Sequence, residues 1–162
     1  DWVRAMDARS QLITGLSVSD ASYETNPLQD GNIYDLSTAY ERALNARSGV
    51  SASVSVTRQD AADPGYATWA GGISLGGWQE TRWGTAFASA GLRRTEGDER
   101  LFLFPDKRRE WLITGRLGMT FRSLTTYGFA PTVRFTLERN DSTVGIYDYR
   151  RVAADIGVSR AF

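Results

Sequence analysis

The chain of 162 residues contains no cysteine and no histidine. Without cysteine, neither a disulfide framework nor a thiolate metal site can form. Without histidine, Ser-His-Asp and Cys-His hydrolases and the usual zinc sites are excluded, which leaves only carboxylate, Lys, Tyr or Ser chemistry. Long apolar runs are missing too: none reaches the roughly 18 residues that would mark a transmembrane helix. Asp1-Trp2-Val3-Arg4 lacks the basic, then apolar, start of a signal peptide, so either a mature form or an N-terminus further upstream is expected. Neither sign of charge is in excess. Lys plus Arg and Asp plus Glu are 19 each, so the formal net charge is zero, which argues against a nucleic-acid partner.

What remains is a period of two. The length fits one domain. Along Gly49–Asp60, Val50, Ala52, Val54 and Val56 alternate with Ser51, Ser53, Ser55 and Thr57. This is the pattern of a strand with one apolar and one hydroxyl-rich face. The same reading predicts strands at Ser10–Ser22, Ile33–Asn45, Tyr66–Trp78, Trp83–Leu92, Arg109–Phe121, Pro131–Arg139 and Arg151–Phe162. In Trp83–Leu92 the two faces, Trp83/Thr85/Phe87 and Ala86/Ala88/Ala90/Leu92, leave the apolar side open. About eight strands result, mostly near the ~9–11 residues that a tilted strand needs to cross a bilayer. The mean hydropathy of −0.35 fits, because strands facing lipid on one side and a polar lumen on the other average to near-neutral values. The fold class is therefore all-β, an antiparallel transmembrane β-barrel. A soluble β-sandwich binding module is the alternative, but its strands are usually shorter, about 5–6 residues.

The connections alternate as well. Those after the second, fourth and sixth predicted strands are short: Ala46-Arg47-Ser48, Gln79-Glu80-Thr81-Arg82, and 122–128. Those after the first, third, fifth and seventh are longer: 25–32, 60–65, 93–108 and 140–148. Short periplasmic turns and long outer loops distinguish outer-membrane barrels, and an even strand number would leave both termini periplasmic. The longest loop carries Leu101-Phe102-Leu103-Phe104-Pro105, which either extends a strand above the membrane or folds inward as a plug.

Three groups of residues stand out as candidate sites. Asp35, Glu41, Arg116, Arg134, Glu138, Arg151 and Asp155 lie on polar strand faces and are expected in the barrel lumen. There they either form a hydrogen-bonded plug or line water or a moving substrate. Trp69, Trp78, Trp83, Trp111, Tyr127, Tyr147 and Tyr149 cluster near strand ends, as interfacial aromatic girdles do. Ile156, Val158 and Phe162 share one register in the last strand, which ends on an aromatic and can pair by β-augmentation. Arg160 breaks that register, with a head able to snorkel to the interface. Gly71-Gly72 and Gly76-Gly77 lie within a strand, so they mark bends or close packing rather than a phosphate loop. No catalytic, cofactor-binding or metal-ligating set is predicted, and neighbouring arginines would keep the lumen acids ionised.

Tyr127-Gly128-Phe129-Ala130-Pro131, Val133-Arg134-Phe135 and Glu138-Arg139-Asn140-Asp141-Ser142 form a run that continues into Ile146-Tyr147-Asp148-Tyr149-Arg150-Arg151 and Ser159-Arg160-Ala161-Phe162. This run resembles the barrel of the surface lipoprotein assembly modifier family, and Asp106-Lys107-Arg108-Arg109-Glu110 is similar to the basic segment before its third-last strand. At the level of motifs the resemblance covers residues 104–162. It implies a bacterial outer-membrane protein that moves lipoproteins or other proteins to the cell surface. It also implies a periplasmic helical repeat domain ahead of a barrel of about fourteen strands. This chain, with about eight strands, would then be the C-terminal portion of a longer polypeptide. The implied partners are membrane lipids, the barrel-assembly machinery during biogenesis, and a lipoprotein or secreted protein as cargo. A passive pore or structural barrel without cargo is the alternative within the same fold.

Overall fold

A computed structural model of the protein describes residues 1–160. Phe162, expected to end the assembly signal, lies outside the described residues. The described chain folds into one antiparallel sheet of nine strands that pair strictly in chain order. They are β1 (Trp2–Asp7), β2 (Ser10–Ala21), β3 (Gly31–Asn45), β4 (Ser48–Gln59), β5 (Thr68–Thr81), β6 (Gly84–Arg100), β7 (Lys107–Thr120), β8 (Phe129–Ser142) and β9 (Tyr149–Arg160). β1 and β9 are edges with one neighbour each, so the sheet is an open meander.

Alternation explains the strands, and pairing extends them. Residues directly opposite in an antiparallel ladder share a face, and one register line crosses most of the sheet. Leu12, Tyr40, Ala52, Leu75, Ala90, Gly115, Leu137 and Val152 follow one another from β2 to β9. Lines beside it carry Leu36, Val56, Ile73, Leu92, Ile113, Leu117, Phe135 and Ala154 on the same, apolar side. The ladder also settles β6. Ala86, Ala88, Ala90 and Leu92 join the apolar face, and Phe87 goes to the polar one opposite Trp78.

Two expectations about the strands change. A ninth strand, β1, precedes the predicted eight. Its sequence, Trp2-Val3-Arg4-Ala5-Met6-Asp7, puts apolar residues on both faces and so hides the alternation. It is held by pairing with β2 through a register shift between Ala5 and Asp7. With nine strands the even parity on which a shared end for both termini rested is gone. Arg160 lies at the short-turn end opposite Phe129, whereas Trp2 lies halfway along β2 opposite Thr14.

The connections also differ in detail. Most of 93–108 is ladder: β6 and β7 continue as a hairpin to Arg100 and Lys107. At its tip Phe102 and Leu103 are 96% and 83% exposed, while Leu101 is buried. At the other end, Asp7-Ala8-Arg9-Ser10 and Asn45-Ala46-Arg47-Ser48 make two matching turns. In each, the first side chain accepts the backbone N–H two residues on, at 2.7 Å. In each, the Arg carbonyl accepts a backbone N–H from the neighbouring strand, Ala43 on Arg9 and Glu80 on Arg47. Trp83 repeats the pattern, taking the Ser123 N–H. Gly84 follows with φ +147, and a side chain there would strike the Thr120 carbonyl. In the β7–β8 connection Tyr127 and Gly128 both have positive φ, 51 and 80, as a tight two-residue turn requires.

No packed core lies behind this sheet. Among the described residues the buried apolar side chains are Ala67, Ala70, Leu101, Ala130 and Val144, and Val144 alone of the large ones is fully enclosed. The exposed area is 11069 Å² for 17.9 kDa. A compact monomer of that mass would expose about 8,000 Å².

Candidate functional site

The polar face is the side on which the candidate lumen residues meet. Asp35, Glu41, Arg116, Arg134, Glu138, Arg151 and Asp155 all share its parity. Its floor is made of small residues. Ser53 and Ser74 hydroxyls lie 2.7 Å apart between β4 and β5. Gly72 and Gly76 sit beside them, where an added Cβ would come within 3.0 Å of Ser55 Oγ and 2.9 Å of Ser51 Oγ. Close packing, the second of the two roles expected for these glycines, is what they provide. The register runs through β5 without a bulge.

The charges divide into two regions. Towards β2–β4, Asp35 accepts the Thr57 hydroxyl at 2.6 Å, and Thr57 Oγ1 in turn accepts from Arg93 Nη2 at 2.9 Å. Arg93 belongs to β6 and Thr57 to β4, so the guanidinium passes over Ala70 and Gly72 of β5, where larger side chains would block it. Glu41 accepts the Gln11 amide at 2.8 Å. On the β7–β9 side, Glu138 lies directly opposite Arg151, and Arg134 opposite Asp155. These pairs stand in cross-strand positions of opposite charge without an ion pair within 4 Å. Arg116, Arg134, Arg151 and Asp155 are exposed on the open face. A network of salt bridges filling the interior is therefore not present among the described residues.

Above this region the β8–β9 loop closes over the polar face. Glu110 is buried, binds Arg108 Nε at 2.7 Å and accepts the Ser142 hydroxyl at 3.2 Å. Buried Asn140 donates to the Tyr147 carbonyl at 2.6 Å, and Arg108 stacks 3.8 Å from the Tyr147 ring. Sequence reasoning missed Arg93, Arg108, Glu110 and Asn140: the ladder brings Arg93 to Thr57 and Ser142 to Glu110, and the loop fold brings Tyr147 to Arg108 and Asn140. At the short-turn end the sheet curls enough that β1 to β6 wall one concavity of about 650 Å³, which includes Ala5, Glu41, Ser51, Trp78 and Phe87. Phe87 leans over Gly118, and Trp78 over Gly49.

The aromatics separate by face. Trp69 and Trp111 lie on the apolar face at the long-loop end, each under an arginine of the preceding strand: Arg58 over Trp69 at 5.3 Å and Arg94 over Trp111 at 5.0 Å. Trp83, in the β5–β6 turn, carries Arg82 at 4.4 Å, and Tyr127 is exposed in the β7–β8 connection. Three depart from the expected girdle. Trp78 and Tyr149 fall on the polar face by register, and Tyr147 packs in the loop over it. The reason is parity: nearness to a strand end does not determine the side. Ile156 and Val158 lie on the apolar face of the edge strand β9, opposite Val133 and Pro131, and are 84% and 70% exposed.

Arg58 also ties the rim together. It holds Asp98 through two bonds, 2.8 and 2.7 Å, and Asp60 at 2.7 Å. Asp98 lies beyond Thr68, where β5 begins, and so outside the apolar band; hydrogen bonding from Arg58 holds its carboxyl below the usual carboxylate range. The chemistry of the polar face is that of a hydrogen-bonding wall. Among the described residues no group of three or more His, Cys, Asp or Glu is placed to hold a metal ion.

Comparison with known proteins bears on the family alone. No curated protein and no solved structure matches the chain. One family model, described as surface lipoprotein assembly modifier, matches residues 1–162. The chain belongs to the surface lipoprotein assembly modifier family.

Proposed function

We propose that this chain forms wall strands of a bacterial outer-membrane β-barrel that moves lipoproteins, or related proteins, to the cell surface. One observation carries the membrane part: a complete apolar face without anything packed on it. Leu75, Ile113, Leu117, Leu137 and Val152 are all half or more exposed. Leaving such side chains in water forfeits about 1.5–3 kcal/mol each, so an apolar environment must cover them. On β7 the band runs from Trp111 to Met119, about 26 Å along the strand and about 20 Å high at the usual tilt. That height fits an outer-membrane hydrocarbon layer. The arginine-capped Trp69 and Trp111 would lie at one interface, and Trp83 and Tyr127 at the other. The short turns and the end of β9 are assigned to the periplasm, and the β6–β7 hairpin to the exterior.

The cargo part rests on the family and on the polar face. That face presents hydroxyls, glycines and charges of both signs with little internal pairing, so a passing polypeptide would find hydrogen-bonding groups without a strong fixed field. No chemistry on a substrate is assigned. Lipids on the apolar face, the barrel-assembly machinery at the closing strand, and a lipoprotein cargo on the polar face are the partners.

Two measurements test this. In detergent or vesicles the full chain should migrate differently on gels before and after heating, and its strands should resist protease. Deleting the gene should remove lipoprotein from the surface, read by protease shaving of whole cells. Unchanged display, together with conductance in planar bilayers, would replace transport by a passive pore.

A further inference from the structure

The two ends of the sheet differ in charge: the long-loop end carries many acids among its arginines, and although Arg100, Arg109 and Arg150 there make no ion pair among the described residues, most of its other arginines do. At the long-loop end Arg58 binds Asp60 and Asp98, Arg94 binds Glu96, Arg108 binds Glu110, and Arg139 binds Asp141. At the short-turn end Arg9, Arg42, Arg47 and Arg82 make no ion pair among the described residues, and Arg122 reaches Glu80 only at 3.4 Å. The acids nearby are already engaged: Asp7 by the Arg9 backbone N–H, Glu41 by Gln11 and Glu80 by the Thr85 hydroxyl. Arginines outnumber acids at this rim, and those of the turns, Arg9, Arg47 and Arg82, are held by no carboxylate among the described residues.

Their placement is ordered by the repeated turn. Arg9 and Arg47 hold the same position in two matching turns on successive hairpins, and both are exposed. Arg82 occupies the next hairpin turn, over the Trp83 ring. Arg42 stands on the apolar face opposite Val50, at the edge of the apolar band. The turns lie only a few residues beyond that band, on the order of 5–10 Å. That is headgroup depth, provided the sheet spans a membrane as proposed above.

We infer that this rim binds the phosphodiester headgroups of anionic glycerophospholipids in the leaflet that the short turns face. A guanidinium fork matches two phosphate oxygens, and one stacked on an interfacial tryptophan is held ready for them. Each arginine is expected to favour an anionic over a zwitterionic headgroup roughly fivefold at low salt.

The test uses the full chain in phosphatidylcholine vesicles containing phosphatidylglycerol, with spin-labelled versions of each lipid reporting which one adjoins the protein. Protease protection verifies insertion in every sample. The labelled phosphatidylglycerol should be enriched, with the preference falling as salt rises. Together, Arg9→Gln, Arg47→Gln and Arg82→Gln should abolish it. Arg100→Gln with Arg150→Gln, which removes charge at the other end, should leave it. Normal insertion without a preference, or a preference that survives the triple change, overturns the lipid site and leaves the membrane reading standing. Failure to insert overturns both. In purely zwitterionic vesicles, inorganic phosphate should give no saturable heat of binding. Saturable binding that the triple change removes would assign the rim to a free anion instead and overturn the lipid assignment.

Discussion

Phe87 lies across Gly118: a Cβ built on Gly118 would stand 2.5 Å from the Phe87 ring carbon Cζ and 2.6 Å from the Val133 carbonyl. The ring belongs to β6 and the glycine to β7, directly opposite in the ladder. A glycine with an aromatic laid over it closes the polar face where two larger residues would clash, and pins the register of the pair. Gly118→Ala should therefore destabilise the folded sheet by about 1–3 kcal/mol. Gly71→Ala should change stability by less than about 0.5 kcal/mol, because nothing lies within 4 Å of its would-be Cβ. Denaturant titration of the vesicle-inserted protein separates the two. Equal costs would mean that Phe87 does not rest on Gly118.

Arg58 and Asp98 join β4 to the extension of β6 across the end of β5. Their side chains are 21% and 34% exposed, so solvent screens part of the attraction. A double-mutant cycle with Arg58→Met and Asp98→Asn should return a coupling of about 1 kcal/mol that shrinks with salt. A coupling near zero at low salt would make the pair incidental.

The two faces should respond oppositely to charge. Leu117→Arg, in the middle of the apolar face, is expected to cost about 2–4 kcal/mol in a bilayer. Thr136→Arg, on the polar face, should cost little. Folding yields into vesicles provide the comparison, and tolerance of Leu117→Arg would count against lipid on that face.

In the two matching turns, Asp7 and Asn45 each take a backbone N–H with the side chain. Asn45→Ala should lose about 0.5–1.5 kcal/mol, and Asn45→Asp should retain nearly all of it. The same denaturant titration checks this, and an Asp variant as weak as Ala would rule out the turn bond as the cause.

Much of the sheet was legible because a strand's side-chain period is local. The Val50–Val56 alternation needs no partner to be read, and neither do the hydroxyls between. β1 escaped because its six residues carry apolar groups on both faces, although the repeat of Asp7-Ala8-Arg9-Ser10 in Asn45-Ala46-Arg47-Ser48 was a signal for a further hairpin turn. Nearness to a strand end places Trp78, Tyr147 and Tyr149 with the girdle aromatics, and that criterion is blind to parity.

The sequence by itself determined that the chain is a sheet protein with one apolar and one polar face, short turns at one end, and no thiol or imidazole chemistry. Period two and composition are properties of consecutive residues, and they survive without any knowledge of neighbours. Tertiary structure alone decided which face β6 shows, that Arg93 reaches Thr57 over two small residues, and that Phe87 covers Gly118. It also decided which arginines meet a carboxylate, as Arg58 meets Asp60 and Asp98. Those facts depend on register, and register is set by the pairing of whole strands, which brings together residues far apart in the chain.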